Sequence, residues 1–594
     1  MIPQRLKKLR DLMAQRGIDA YVIPTSDFHE SEYVGDYFKA RKYMSGFTGS
    51  AGTLVVTAKE ACLWTDGRYF IQAAEQLKDS TITLMRMGEE ETPDIEDYLY
   101  DAIPEGGKLG FDGRVVTAAL GKAFAGKLSA KHATLSTAED LVDLIWEDRP
   151  ALSAEPAFLL AEKYTGKSAA QKLEELRDAI RQNGCDTHVI TTLDDIAWLL
   201  NIRGNDVACN PVVLSYVVIT LKKAHFFVNP ACLNDEIRQA LAGCGVEIHD
   251  YQDMLSFVKA LPKRAVVLLD PQKVNYEIYA SIRGKKVEKP NPTQLAKAMK
   301  NPVELDNIRR AHVKDGVAFT KFMYWLKTNV GKIPITEISA AEYLLARRAE
   351  QEGFIEPSFE TISAYKANAA MMHYSATEES NAQLKPEGML LVDSGGQYYE
   401  GTTDITRTMV LGPITKEQKL HFTTVLRSNL NLANARFLHG CIGMNLDILA
   451  RGPIWDLNLD YKCGTGHGIG YLLNVHEAPN GFRWKIVAER RDSAVFEEGM
   501  VTTDEPGIYI EGSHGIRTEN ELICRKGIKN ADGQFMYFEP VTYAPIDLDG
   551  IDPAYLTDKE RRTLNDYHAM VYGKLFDYLT AEEREWLKEY TRSI

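Results

Sequence analysis

The chain has 594 residues, 45% of them hydrophobic and 26% charged, with a formal net charge of −14. That length exceeds what one hydrophobic core serves and implies three or four domains, with a composition ordinary for a soluble globular protein. The acidic balance excludes nucleic acid as the main partner, because phosphate binding needs a basic face, and no run approaches 18 consecutive apolar residues, which excludes a membrane helix.

The basic opening, residues 1–10, leads into no apolar stretch, so no signal peptide is expected. Eight cysteines are scattered between Cys62 and Cys524 without a CxxC pair. This is the usage of a reducing compartment, and a cytoplasmic location is expected. The first predicted helix carries Leu6, Leu9 and Met13 on one face and stops at Gly17, with a strand following at 20–23. The same arrangement returns 167 residues later. Leu9-Arg10-Asp11 through Asp19 matches Leu176-Arg177-Asp178 through Asp186, and Gly184 stands where Gly17 does. β-branched runs follow both copies, at 49–57 and 211–220. We read two related α/β domains in tandem, at 1–158 and 159–299. The first also carries Gly-rich turns at 45–52 and 64–69. No GxxxxGK[ST] accompanies them, so they are read as tight turns and packing sites rather than a nucleotide cradle.

Near residue 300 the character changes. Asn301, Pro302 and Glu304 form a helix start, with Asn at the N-cap, Pro at the first helical position and Glu three residues on. Leu305, Ile308, Val317, Phe319, Phe322, Trp325 and Leu326 then support a long amphipathic helix. Further helices are predicted from Thr336, from Thr415 with Gln418 as its capping box, and in the tail at 557–572 and 581–590. β-type segments lie between these helices. Helices laid over a curved sheet make an α+β third domain at 300–594.

Those β-type segments carry a recurring set of acids. Asp393 ends an apolar strand and Asp404 stands eleven residues on. Reversal of the chain near Tyr398-Tyr399 places the two carboxylates opposite each other in a hairpin, with Cβ atoms roughly 5 Å apart. Glu505 and Glu519 are symmetric about Gly512 and repeat the arrangement, and His467 lies between Gly466 and Gly468, which let the backbone approach closely. Any one of these residues has an ordinary structural use, such as an Asp capping a neighbouring amide. Five with mirrored spacing do not. Four buried carboxylates repel and become protonated unless cations share them, and two divalent ions about 3.5–4 Å apart would do so. One imidazole among carboxylates suits Mn²⁺, Co²⁺ or Zn²⁺ rather than the softer metals that thiolates select. Arg517, two residues before Glu519 and on the same strand face, is placed to orient the carboxylates.

The segments VDSGGQYYEGTTDITRT (392–408), GTGHGIG (464–470), NVHEAP (474–479), TDEPGIY (503–509) and GIRTEN (515–520) resemble the catalytic domain of the pita-bread metallopeptidases. SEYV (31–34), SGFTGSAGT (45–53), LWTDGRYF (63–70), AWLLNIRG (197–204) and YFEPVT (537–542) extend the resemblance over nearly the whole chain, to the long, three-domain Xaa-Pro aminopeptidases of cytosolic type. The resemblance implies two creatinase-like α/β domains followed by a pita-bread catalytic domain. It implies that Asp393 and Asp404 bind one metal ion, that Asp404 also reaches the second, that His467 and Glu505 complete the second, and that Glu519 bridges both. It further implies two divalent ions, Mn²⁺ first with Zn²⁺ or Co²⁺ as alternatives. A water or hydroxide between them would attack the carbonyl before a penultimate proline. Peptides with proline in second position are the implied substrates, and a homodimer the implied assembly.

His373 and His476 match the family's two site histidines, implied to stabilise the oxyanion and to bind near the scissile amide. Cys463 stands where relatives often carry a His lining the proline pocket, and Lys366 where a small residue is expected, so substrate preference stays open. Two rival readings stand beside this one, and the first of them shares the five ligands. A prolidase-type dipeptidase would lack the tandem N-terminal motifs, and a non-catalytic peptide-binding member would usually have lost ligands.

Overall fold

A computed structural model describes residues 2–487 and 490–594. Its elements fall into two compact units, residues 1–161 with 167–293, and residues 162–166 with 294–594.

The first unit contains the duplication. The helix Ile2–Arg16 buries Leu6, Leu9 and Met13 and ends where Gly17 takes φ +62°, the left-handed turn that glycine adopts without strain. Its counterpart, Ala169–Gln182, starts at a Ser168–Gln171 capping box, buries Leu173, Leu176 and Ile180, and is followed by Gly184 at φ +66°. Each helix feeds a buried strand inside a six-stranded sheet. The first sheet runs in the order Thr83–Arg86, Ala61–Thr65, Thr53–Thr57, Ala20–Pro24, Lys108–Gly110, Thr134–Ser136. The second runs Val246–Asp250, Ala224–Val228, Ser215–Thr220, Thr187–Ile190, Val266–Leu269, Lys285–Glu288. In both, successive pairings are parallel, antiparallel, antiparallel, parallel, parallel. The sequence repeat is thus a repeat of topology.

The Gly-rich turns of the first copy pack as read. The Arg41 guanidinium donates to the carbonyl oxygens of Phe47 and Gly49. A Cβ at Gly49 would come within 2.3 Å of the Phe47 ring, so only glycine lets this turn close.

In the second unit the helix Pro302–Asn329 starts as expected. The Asn301 side chain accepts from the amides of Val303 and Glu304, while the Glu304 side chain accepts from the Asn301 amide. Thr336 and Thr415 cap the helices Glu337–Ala349 and Lys416–Ala433, and Thr557 and Thr580 cap Asp558–Leu575 and Ala581–Tyr590 in the tail. The strands form a three-stranded antiparallel sheet (Ile362–Tyr365, Met389–Ser394, Ile405–Val410) and a six-stranded one containing Gly466–Gly468, Val501–Asp504 and Asn520–Asn530. Two short hairpins extend them, Gly396–Tyr398 with Gly401–Thr402 and Gly507–Ile510 with His514–Arg517.

Strand alternation decides what faces the site. Leu390, Val392, Ile405 and Met409 pack with Phe319, Phe322, Met323 and Leu326 of the long helix in one core. Side chains one residue out of phase point to the opposite face. That face carries Asp393, Thr406 and Thr408.

Candidate metal centre

The first hairpin departs from the predicted register. Asp393 pairs with Thr406, and the ladder continues through Gln397 opposite Thr402 and Tyr398 opposite Gly401. The chain therefore reverses at Tyr399-Glu400 rather than Tyr398-Tyr399, and Asp404 is the diagonal neighbour of Asp393 instead of its direct partner. Moving the reversal point by one residue moves the register by two. An even shift keeps both acids on one face, whereas an odd one would have turned Asp404 away. The second hairpin keeps its predicted symmetry, with Asp504 opposite Asn520 and Gly507 opposite Arg517 on either side of Glu505 and Glu519.

The two hairpins meet through Thr406. Its carbonyl oxygen accepts from the Glu519 amide at 3.1 Å and its hydroxyl donates to Glu519 Oε2 at 2.7 Å. His467 enters from the strand Gly466–Gly468. Its amide donates to Thr503 Oγ1 at 3.0 Å, and Nδ1 lies 2.9 Å from the Gly468 carbonyl oxygen. That carbonyl selects the tautomer protonated on Nδ1 and leaves the Nε2 lone pair facing the acids. Nε2 is 3.3 Å from Glu505 Oε1 and 3.5 Å from Asp404 Oδ2, and donor atoms of Asp404, His467 and Glu519 all lie within 4.8 Å of one another. A Cβ at Gly466 would stand 1.9 Å from the Thr503 carbonyl oxygen, so only glycine lets this strand close on its neighbour.

Electrostatically the cluster is unbalanced without cations. Asp393 Oδ1, Asp404 Oδ1 and Glu519 Oε1 are buried and make no hydrogen bond. Burial, reinforced by the neighbouring carboxylates, pushes Asp404 and Glu519 well above the usual carboxylate range. Arg517 is the guanidinium at their centre. Nη2 donates to Asp393 Oδ2 at 2.5 Å, Nη1 to the Tyr509 hydroxyl at 2.7 Å, and Nε to Thr406 Oγ1 at 3.1 Å. One guanidinium cannot neutralise four carboxylates. Orphaned oxygens, a freed imidazole lone pair and surplus negative charge together fit two divalent ions.

The remaining predicted residues border this cluster. His476 stands edge-on to His467, with ring centroids 4.3 Å apart at 90°. Its neighbour Glu477 is buried against Lys300 and lies 3.3 Å from Lys297. His373 follows Met372, whose carbonyl oxygen lies 3.5 Å from Arg517 Nη2. Cys463 and Tyr509 both pack, partly buried, against one core, and burial with the nearby Glu505 charge pushes the Cys463 thiol up to about 11. A protonated thiol leaves Cys463 uncharged at neutral pH. Lys366 turns away to an exposed ion pair with Glu387 at 2.6 Å.

Sequence reading missed Thr406, Thr503, Tyr509 and Glu521. The Thr503 hydroxyl donates to Glu505 Oε1 at 3.1 Å. Glu521 Oε1 accepts the Asp404 amide at 2.8 Å and lies 3.1 Å from Nε2 of buried His312 on the long helix. Thr406, Thr503 and Glu521 each stand two residues from a predicted ligand along the chain. Strand periodicity, which places them on the ligand's own face, was the available signal.

Comparison with known proteins gives a consistent match. The Creatinase/Prolidase N-terminal domain is matched twice, over residues 5–145 and 148–304, Metallopeptidase family M24 over 306–526, and the C-terminal region of peptidase_M24 over 534–594. The chain is 37% identical to "Aminopeptidase P1" of Arabidopsis thaliana, covering 99% of each sequence. It is similar, with a TM-score of 0.96, 35% identity and full coverage of both chains, to the crystal structure of X-prolyl aminopeptidase from Caenorhabditis elegans, described as a cytosolic enzyme with a di-nuclear active site. The structure of an Xaa-Pro dipeptidase from Bacillus anthracis covers 64% of this chain at a TM-score of 0.51 and 24% identity, a likeness of fold.

Proposed function

The chain belongs to metallopeptidase family M24, in its aminopeptidase P branch, and from that membership we propose that it releases the N-terminal residue from peptides whose second residue is proline. The observation that carries this reading is the convergence of Asp393, Asp404, His467, Glu505 and Glu519, with three buried carboxylate oxygens left unpaired. In our reading Asp393, Asp404, His467, Glu505 and Glu519 would together hold two divalent ions. Two divalent ions supply Lewis-acid polarisation of a carbonyl and a water acidic enough to act at neutral pH. Mn²⁺ is our first choice, with Zn²⁺ or Co²⁺ as alternatives.

The chain's own residues set up the rest. Arg517 holds the Asp393 carboxylate at 2.5 Å, and Thr406 and Thr503 fix Glu519 and Glu505 in the same way. His373 and His476 would supply hydrogen bonds to the oxyanion and near the scissile amide. An X–Pro bond has no amide N–H to offer, so recognition falls to the shape of the pocket. There Cys463 presents an uncharged wall.

The same reading partitions the chain at 1–158, 159–299 and 300–594, supported by two sheets of one topology. It makes the protein cytoplasmic, in keeping with its scattered cysteines, and no helix among the described residues is long and apolar enough to cross a membrane. It also makes the protein a homodimer. Trp455 and Trp484 are large exposed apolar residues whose indoles stand 6.2 Å apart, which supports a face covered by a second copy.

The test combines metal removal with a substrate panel. Chelated protein restored with Mn²⁺ should cleave Xaa-Pro-Yaa tripeptides, and Asp404→Asn and Glu519→Gln should each lose more than about 100-fold in rate, beyond the range for outer-shell partners. Activity confined to Xaa-Pro dipeptides would sink the aminopeptidase reading in favour of a prolidase. Hydrolysis persisting in both variants would sink the assigned metal chemistry.

A further inference from the structure

In the second of the repeated sheets, the parallel strands Ala224–Val228 and Val246–Asp250 place His225 opposite Glu247 and Phe227 opposite His249. Side chains alternate along a strand, so these four residues share one face. His225 Nδ1 lies 3.0 Å from His249 Nε2 and 3.3 Å from Glu247 Oε2, and the three donor atoms lie within 4.8 Å of one another. Ligands held about 2.0–2.1 Å from a tetrahedral Zn²⁺ stand roughly 3.3 Å apart. The cluster therefore has the spacing of one ion's coordination shell. We propose that His225, His249 and Glu247 form a further metal site, for a divalent transition ion such as Zn²⁺, separate from the carboxylate centre and completed by water on its exposed side.

Two imidazoles and one carboxylate are a donor set that zinc accepts with an open fourth position. Both rings are held in place. Phe227 stacks on His249 at 4.9 Å and 22°, and Phe257 lies 4.7 Å from the His225 ring and 5.7 Å from that of His249. Rings already fixed by packing lose little further freedom when an ion arrives. Glu247 is 43% exposed, and its other oxygen takes the Lys223 ammonium. An exposed pair of this kind is worth little and yields to a divalent ion. Val246–Asp250 is the edge strand of its sheet, so an ion here would clip the edge strand to its neighbour across the face of the sheet.

The test uses the full-length protein, stripped with chelator and equilibrated by dialysis at fixed free Zn²⁺, with zinc per chain measured by elemental analysis. The double variant His225→Ala/His249→Ala should bind one ion fewer per chain than the wild type while keeping its peptidase activity. That difference is independent of how many ions the carboxylate centre holds. Glu247→Gln, at an exposed position that leaves packing intact, should weaken the same site at least about tenfold, and Lys223→Ala should tighten it. Equal zinc content in wild type and double variant overturns the proposal. If the double variant does not fold, zinc isotherms of Glu247→Gln and Lys223→Ala that superimpose on the wild type overturn it as well.

Discussion

Arg517 stands between Asp393, Thr406 and Tyr509, all within 3.1 Å of its nitrogens. Only a planar guanidinium serves three acceptors in these directions, and an ammonium would serve one or two. Asp393 Oδ1 already lacks a partner, so losing Arg517 leaves that buried carboxylate with neither a charge nor a hydrogen bond to orient it. Arg517→Ala should therefore lower metal affinity about 10–100-fold, with Arg517→Lys recovering only part. Titration of the metal-free protein checks this, and an isotherm unchanged in Arg517→Ala would remove the residue from its orienting role. At this scale the five proposed ligands were legible because each sits in a Gly-rich or β-type motif. Thr406, Thr503 and Glu521 were not, because a Thr or Glu on a strand has many uses and only its contacts show which one applies.

Elements whose signals are local came through the sequence intact. Asn301 with Glu304 and Thr415 with Gln418 both form the predicted capping boxes, since a cap is settled within four residues. Hairpin register is less local. The loop at Gly512, with φ +71°, centred its hairpin as symmetry suggested. The Tyr398-Tyr399-Glu400-Gly401 stretch contains no Asn-Gly or Asp-Gly pair to mark its turn, and the ladder on either side chose a reversal point one residue later. The tail helix Asp558–Leu575 carries a consequence of burial that composition does not reveal. His568 Nε2 accepts the Ile546 amide at 3.1 Å, and burial together with the Arg407 charge lowers its pKa to about 3, against about 6.5 in the unfolded chain. Between those values the unfolded state binds the extra proton. The contribution of His568 is thus complete above about pH 6.5 and is lost as pH falls toward 3, at up to about 1.4 kcal/mol per pH unit. Denaturant midpoints followed from pH 7 to pH 4 should fall less steeply in His568→Gln than in the wild type. Parallel slopes would show that the imidazole is not held neutral.

At the scale of the whole molecule, a homodimer predicts that wild-type protein sediments at twice its chain mass of 66.6 kDa. Trp455 and Trp484 are 40% and 47% exposed, far more than large aromatics usually are in a finished surface. Placing charges there desolvates an ion at the contact, so Trp455→Glu/Trp484→Glu should sediment as a single chain. A wild type that is monomeric at micromolar concentration would contradict the assembly. The duplication belongs to this scale too. An eleven-residue segment with six identities at an offset of 167 pointed to a second α/β copy, and the two sheets share every pairing direction, because the same pattern of buried and β-branched segments admits the same strand order.

The sequence by itself determined the elements, the duplication and the identity of the acidic and imidazole groups, all of which rest on spacing over a few residues or on repeated motifs. Only the tertiary structure decided which of those groups touch. It moved Asp404 from direct partner to diagonal neighbour, set the Arg517 guanidinium on Asp393, stood His476 against His467, and brought His225 and His249 from adjacent strands to 3.0 Å. Contacts between residues far apart in the chain depend on register and on which face of each strand is buried. Both are settled by how the strands and helices pack together, not by any one segment's residues.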